Sequence, residues 1–114
     1  MANFAVAQES VGTVAVVSVS GAVDMLTAPQ LSQAIADSLS KQPTAVIVDL
    51  LDVDFLASAG MQVIVAAHED AGSQTKLVVV ADGPATSRPL KITGIADFIG
   101  VYPTRDDALQ EMQV

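Results

Sequence analysis

An α/β fold is what the sequence predicts: one mixed β-sheet, parallel at its centre, with about four helices in the order ββαβαβαβα. Two observations carry that expectation. The stretches Ala45-Val46-Ile47-Val48-Asp49-Leu50 and Lys76-Leu77-Val78-Val79-Val80-Ala81 are nearly continuous apolar runs, the composition of strands buried on both faces. Between and beyond them, apolar residues recur at helical spacing. Buried strands alternating with helices imply parallel central pairs joined by crossovers.

The elements follow in order. Phe4-Ala5-Val6-Ala7-Gln8 reads as a short edge strand, Val11-Gly12 as a turn, and Thr13 to Val19, rich in β-branched residues, as the second arm of a hairpin. Gly21 to Leu26 reads as a loop containing Asp24. Thr27-Ala28-Pro29-Gln30 has the form of a helix start, with Thr27 as cap, Gln30 placed for a capping box and Pro29 tolerated in the first turn. Leu31, Ile35 and Leu39 then share one helical face, and Lys41-Gln42-Pro43 ends the helix. The first buried run follows, and Leu51 to Ala57 reads as a connection.

Ser58 is placed to cap a second helix, Ala59 to about Asp70, with Met61, Ile64, Val65 and His68 at helical spacing. Ala71-Gly72-Ser73 breaks it before the second buried run. A short third helix is expected around Thr86 to Thr93, closed by Gly94 as a left-handed cap. Phe98 to Tyr102 reads as a last short strand. Thr104 caps a final helix through Met112, with Leu109 and Met112 facing inward. No internal repeat, linker or low-complexity tract interrupts this plan.

Composition narrows the functions. The 114 residues suit one domain over 1–114, and 51% apolar content supports a core without staples. The net charge of −8 repels phosphate backbones and anionic membranes, so direct nucleic-acid binding is not expected. An acidic surface steers a protein toward basic partners, and it also serves solubility alone. Only Phe4, Phe55, Phe98 and Tyr102 are aromatic, which leaves few platforms for stacking bases. With no cysteine there are no disulfides, thiol catalysis or zinc–thiolate sites. No basic region followed by an apolar core marks a signal peptide, and no apolar run reaches the length of about 18 residues that spans a bilayer. The expectation is a soluble cytoplasmic protein without membrane insertion.

The stretch that carries chemistry is Val46-Ile47-Val48-Asp49-Leu50, then Val53-Asp54-Phe55-Leu56-Ala57-Ser58-Ala59-Gly60-Met61. A buried strand leads through a short loop to a serine at a helix start, followed closely by glycine. This arrangement resembles the STAS domain of bacterial anti-sigma-factor antagonists. That family carries a strand ending in Asp or Asn-Leu, then Phe-Met-Asp-Ser-Ser/Thr-Gly-Leu-Gly. Gly21-Ala22-Val23-Asp24 stands where the family has Gly-Glu-Leu-Asp, and Leu90 to Ile95 is similar to the family's third-helix segment. The element order also matches over the whole chain.

The resemblance implies a STAS-like fold and gives residues their roles by position. Ser58 matches the phosphoacceptor, Asp24 the acid of the nearby loop, Asp49 the polar residue closing the central strand, and Gly60 the helix-start glycine. Three positions depart from the motif. Ala57 stands where many members have Asp, Ala59 replaces the second Ser or Thr, and Gln62 replaces the second glycine. The implied function is an antagonist that binds an anti-sigma factor, itself a serine kinase of the histidine-kinase-like type, and so frees a sigma factor. Phosphorylation of Ser58 with ATP-Mg would disengage it and a phosphatase would reset it. The implied docking surface comprises Asp24, Asp49 and the segment Phe55, Leu56, Ala57, Ser58, Ala59, Gly60, Met61 and Gln62. The protein would be substrate and binder, with no catalytic residue, cofactor or metal of its own.

Other readings stand beside these. Ser58 as a plain N-cap would contribute about 1 kcal/mol. Asp24 and Asp49 could simply satisfy loop and strand-end amides, and Gly60 could serve close packing alone. An esterase-like role lacks Gly-x-Ser-x-Gly, because residue 56 is Leu. The single histidine, His68, lies about 15 Å along the same expected helix, too far to serve as base. Asp49, Asp52 and Asp54 lack the spacing of a calcium loop. STAS-like domains also act as accessory or sensor subunits of transporters and stress-signalling complexes. The serine at the motif position, the free-standing length and the absence of a membrane segment favour the sigma-factor branch.

Overall fold

The computed structural model describes residues 4–112. Five strands form one sheet in the order β1-β2-β3-β4-β5, with β1 antiparallel to β2 and every other pair parallel. The strands are β1 Phe4–Val11, β2 Val14–Val23, β3 Ala45–Leu56, β4 Lys76–Val80 and β5 Gly100–Tyr102; the helices are α1 Ala28–Ser40, α2 Ser58–Ala71, α3 Ser87–Ile92 and α4 Arg105–Met112. A single 3-10 turn, Ile95–Asp97, precedes β5. The expected order ββαβαβαβα therefore stands.

From β2 to β5 the strands step one way across the sheet. Crossovers of a single hand must then all lie on one face. The main core accordingly packs Leu31 and Ile35 of α1, Ile64 and Ala67 of α2 and Leu90 of α3 against Val17, Val48, Leu50 and Val79. Among the described residues, α4 alone covers the opposite face, with Ala108 and Met112 over Val16, Ala45, Ile47, Val78 and Val80 and Leu109 packed against them. Arg105 opens α4 and ties it to three strands. Its guanidinium reaches Glu9 at 2.8 Å, Asp49 at 3.4 Å and the hydroxyl of Ser18 at 2.7 Å.

Several boundaries differ from expectation, each for a local reason. β2 runs on through Gly21 to Val23, where a loop was expected to begin. Gly21 has φ +88°, and the pairing with β3 shifts immediately after it. β3 likewise continues through the expected connection to Leu56. Relative to β2 it gains a residue twice, since Ser18 and Ser20 face Asp49 and Asp52, and Gly21 and Ala22 face Val53 and Phe55. Such bulges break the period of two. The last strand starts at Gly100 because the 3-10 turn takes up the preceding residues, leaving Phe98 exposed against His68 with ring centroids 5.6 Å apart.

Two caps agree with the sequence reading. Gly94 is left-handed after α3, with φ +85°, and the Thr104 hydroxyl accepts the N–H of Asp107 at 3.1 Å at the start of α4. Among the described residues no helix is long and apolar enough to cross a membrane.

Candidate partner-binding site

The ends of β2 and β3 are neighbours, with Val23 opposite Leu56. Two turns leave the sheet here side by side. One carries Asp24 into α1, and the other carries Ala57 and Ser58 into α2. The backbone joins them directly, because the N–H of Ala57 donates to the carbonyl of Val23 at 2.9 Å.

The first turn is organised by Asp24. One carboxylate oxygen accepts the N–H groups of Leu26 at 2.9 Å and Thr27 at 3.0 Å. The Thr27 hydroxyl accepts the N–H of Asp24 at 2.9 Å and donates to the Ala22 carbonyl at 2.8 Å. The expected capping box is therefore absent: Thr27 is already in helical conformation and caps nothing with its side chain. The donors at the entrance of α1 are met three residues earlier, by Asp24 (its main-chain carbonyl also accepts the N–H of Ala28).

The N–H of Thr27, followed by that of Leu26 and the Thr27 hydroxyl, holds the Asp24 carboxyl below its ordinary value of 3.8. A carboxyl held low in the folded state stabilises that state above its unfolded value, and the contribution fades as pH falls through the lowered folded value. Acid titration followed by amide NMR is therefore expected to move the Leu26 and Thr27 signals with one shared midpoint below 3.8. Asp24→Asn should abolish that midpoint.

The second turn places the serine. Ala57, extended at φ −82° and ψ 170°, is the N-cap of α2, and the helix takes no side-chain cap. Ser58 was expected to cap; it is instead the first helical residue, one position further in. The N–H groups of Gly60 and Met61 both donate to the Ala57 carbonyl. Those of Ser58 and Ala59 lie at the helix entrance, where the first-turn amides have no helical acceptor. The Ser58 side chain is exposed and unspent on capping.

The ten residues expected to dock a partner separate by burial. Phe55, Ser58 and Gln62 are exposed; Asp24, Ala57, Ala59 and Met61 are half-buried at the same end of the sheet. Leu56 and Gly60 are buried and build the site from beneath. A Cβ on Gly60 would stand 2.5 Å from Cγ1 of Val23 and 2.8 Å from Cδ1 of Leu56, so only glycine lets α2 approach the strand ends this closely.

Asp49 is not brought to Ser58. It lies in mid-strand opposite Ser18 and Val80, and its carboxylate meets Arg105 and the N–H of Leu51. Because β3 runs on to Leu56, strand on the order of 20 Å long separates Asp49 from the site. Of the two acids placed in the implied docking surface, only Asp24 lies at the Ser58 end of the sheet.

The structure adds residues that the sequence reading missed. An open groove runs from Ser58 along α2 past Met61, Gln62 and Val65 to Thr93 and Ile95 after α3. The Thr93 hydroxyl lies 3.9 Å from the Met61 sulfur across it. Helical spacing placed Met61 and Val65 on a common face, but nothing local revealed that Thr93 and Ile95 would form the other wall.

Open α/β sheets bind small ligands in the crevice where strand order reverses. This sheet steps one way from β2 to β5 and has no such reversal. What its carboxyl end offers is an outward surface of two turns and a groove. Fold and site thus define a small α/β domain that displays a serine, with apolar surface beside it, at one end of its sheet.

The chain belongs to the STAS-domain family of anti-sigma-factor antagonists. The STAS domain model matches residues 5–108. RsfB of Mycobacterium tuberculosis, an anti-sigma-F factor antagonist, is 38% identical over 96 residues, covering 84% of this chain and 79% of RsfB. The crystal structure of an anti-sigma factor antagonist from Mycobacterium paratuberculosis superimposes with a TM-score of 0.94 at 43% identity, over 98% of this chain and 96% of that one. SpoIIAA in its unphosphorylated form shares the fold, with a TM-score of 0.78 at 16% identity over 96% of each chain.

Proposed function

We propose that this protein binds an anti-sigma factor and thereby releases a sigma factor, and that phosphorylation of Ser58 ends the binding. The observation that carries the reading is Ser58 itself. It stands exposed in the first turn of α2, on the docking end of the sheet, with its hydroxyl free for a kinase. The 14-residue helix behind it directs unpaired N–H groups and a partial positive charge toward a phosphate placed there. A phosphoryl group adds about −1.5 to −2 charges and three acceptor oxygens to that surface. A partner fitted to the bare hydroxyl then meets new bulk and a charge that must be desolvated.

The partner in this scheme is a serine kinase of the histidine-kinase-like type that uses ATP-Mg, and a phosphatase restores the hydroxyl. The protein works in the cytoplasm as substrate and ligand, as a single STAS domain over residues 1–114, without catalysis of its own. The absence of a carboxylate at Ala57 leaves orientation of the Ser58 hydroxyl to the kinase.

The test is intact-mass spectrometry after incubation with each anti-sigma kinase of the source genome and ATP-Mg, beside a Ser58→Ala control. One phosphate-sized mass increase, absent from the control, is the expected result. A stable complex without that increase would remove the phospho-switch and keep the antagonist. Neither complex nor mass change would overturn the reading and direct attention to a transporter or sensor partner.

A further inference from the structure

We propose that Met25 and Leu26 are the apolar anchors by which this protein holds its anti-sigma factor, and that Asp24 is a positioning residue that presents them. This deepens the reading above and rests on it. Among the described residues, Leu26 and Met25 are the most exposed large hydrophobic side chains, at 85% and 79%. They occupy the tip of the turn between β2 and α1, whose preceding strand end is hydrogen-bonded to the residue before Ser58. Phe55, also exposed, stands at the end of the adjoining strand.

Exposure alone would mean little, since single apolar side chains are common on surfaces. What distinguishes this pair is how it is held. The Asp24 carboxylate takes the N–H groups of Leu26 and Thr27, the Thr27 hydroxyl closes back on Ala22 and Asp24, and the Asp24 carbonyl takes the N–H of Ala28. The turn is fixed from within while its two largest side chains point away from the core. A preorganised apolar pair loses little freedom on binding, which is the property of an interface anchor. Asp24 spends one of its two carboxylate oxygens on the N–H groups of Leu26 and Thr27, and its contribution to docking runs through the turn those bonds hold.

The chemistry also describes the occupant. Asp52 and Asp54, both exposed, lie in the same last part of β3, and the chain carries a net charge of −8. Arg105 is engaged by Glu9 and Asp49. The complementary surface on the anti-sigma factor is therefore an apolar pocket with a basic rim, and binding should weaken as salt is raised.

The test measures calorimetric affinity of the full chain for the anti-sigma factor identified above, with thermal melts of every variant. A Met25→Ala/Leu26→Ala double variant should bind about a hundredfold more weakly, the size expected for losing two buried anchors, while melting as the parent does. Asp24→Ala should weaken binding about tenfold, and Asp24→Asn should restore most of it, because the amide oxygen accepts the same two N–H groups. If the parent binds and the double variant binds within twofold of it, the anchors are wrong and the proposed function stands. If Asp24→Asn fails as fully as Asp24→Ala, with both still folded, the carboxylate is a direct contact and the positioning role falls. If the parent binds no anti-sigma factor, the proposed function fails and this inference falls with it.

Discussion

Phosphorylating Ser58 is expected to lower affinity for the anti-sigma factor by about a hundredfold, or about 2.7 kcal/mol, while leaving the fold as stable as before or slightly more so. The two halves of this expectation have separate causes. Loss of binding comes from a group of about −1.5 to −2 charges that must be stripped of water inside an interface built around a hydroxyl. Stability is retained because Ser58 is the first residue of α2 and its hydroxyl caps nothing. A phosphate at that position meets the unpaired amides and positive end of a long helix, an arrangement typically worth 0.3–1 kcal/mol in the stabilising direction. Calorimetric titration of the phosphorylated and unmodified protein, with paired thermal melts, tests both. Ser58→Glu, carrying about one charge and two oxygens, should lose only part of the affinity, and Ser58→Ala should bind nearly as the parent does. A phosphorylated form that lost its partner and also melted several degrees lower would mean that the switch works by disrupting α2.

Most of this architecture is legible in the sequence because its central strands are buried on both faces and its helices on one. Val46 to Leu50 and Leu77 to Ala81 could hardly be read otherwise, and Leu31, Ile35 and Leu39 mark the inner face of α1. The misread segments are those where local pattern and tertiary pairing part company. In β3 the buried residues Leu50, Val53 and Leu56 are spaced by three, which resembles a connection far more than a strand. Two register shifts against β2 produce that spacing, and register is a property of the neighbouring strand. Asp49 was placed in the docking surface by the resemblance alone, and the extension of the strand to Leu56 carries it away from Ser58. The motif placed Ser58 at a helix start, and it stands in the first turn of α2, but its offset from the cap depends on the backbone angles of Ala57, which the residue types do not specify. Met25 and Leu26 went unnoticed for a different reason. Apolar residues beside a helix start ordinarily point inward, and only the folded chain shows that these two lie exposed at the tip of the Asp24 turn.

Replacing Gly60 with alanine should destabilise the protein by about 1–3 kcal/mol, the usual cost of forcing extra atoms into a packed interior, and Gly60→Val by more. The new methyl would lie 2.5 Å from Cγ1 of Val23 and 2.8 Å from Cδ1 of Leu56, distances that oblige something to move. Leu56 has a flexible side chain. Val23 is β-branched, fully buried and at the end of β2, so the strain falls mainly there. Moving α2 outward instead would break the bond from the Ala57 N–H to the Val23 carbonyl that joins the two turns. A Gly60→Ala variant should therefore melt lower by about 4–8 °C per kcal/mol lost, as for other domains near this size. It should also weaken partner binding even though residue 60 is buried beneath the surface. Trimming the obstructing methyls supplies the decisive comparison. A Gly60→Ala/Val23→Ala double variant should be more stable than the sum of its two single losses, because the second change removes the clash created by the first. Strict additivity would place the role of Gly60 elsewhere, in the backbone conformation of the first turn, and would separate the close approach of α2 from the docking site it supports.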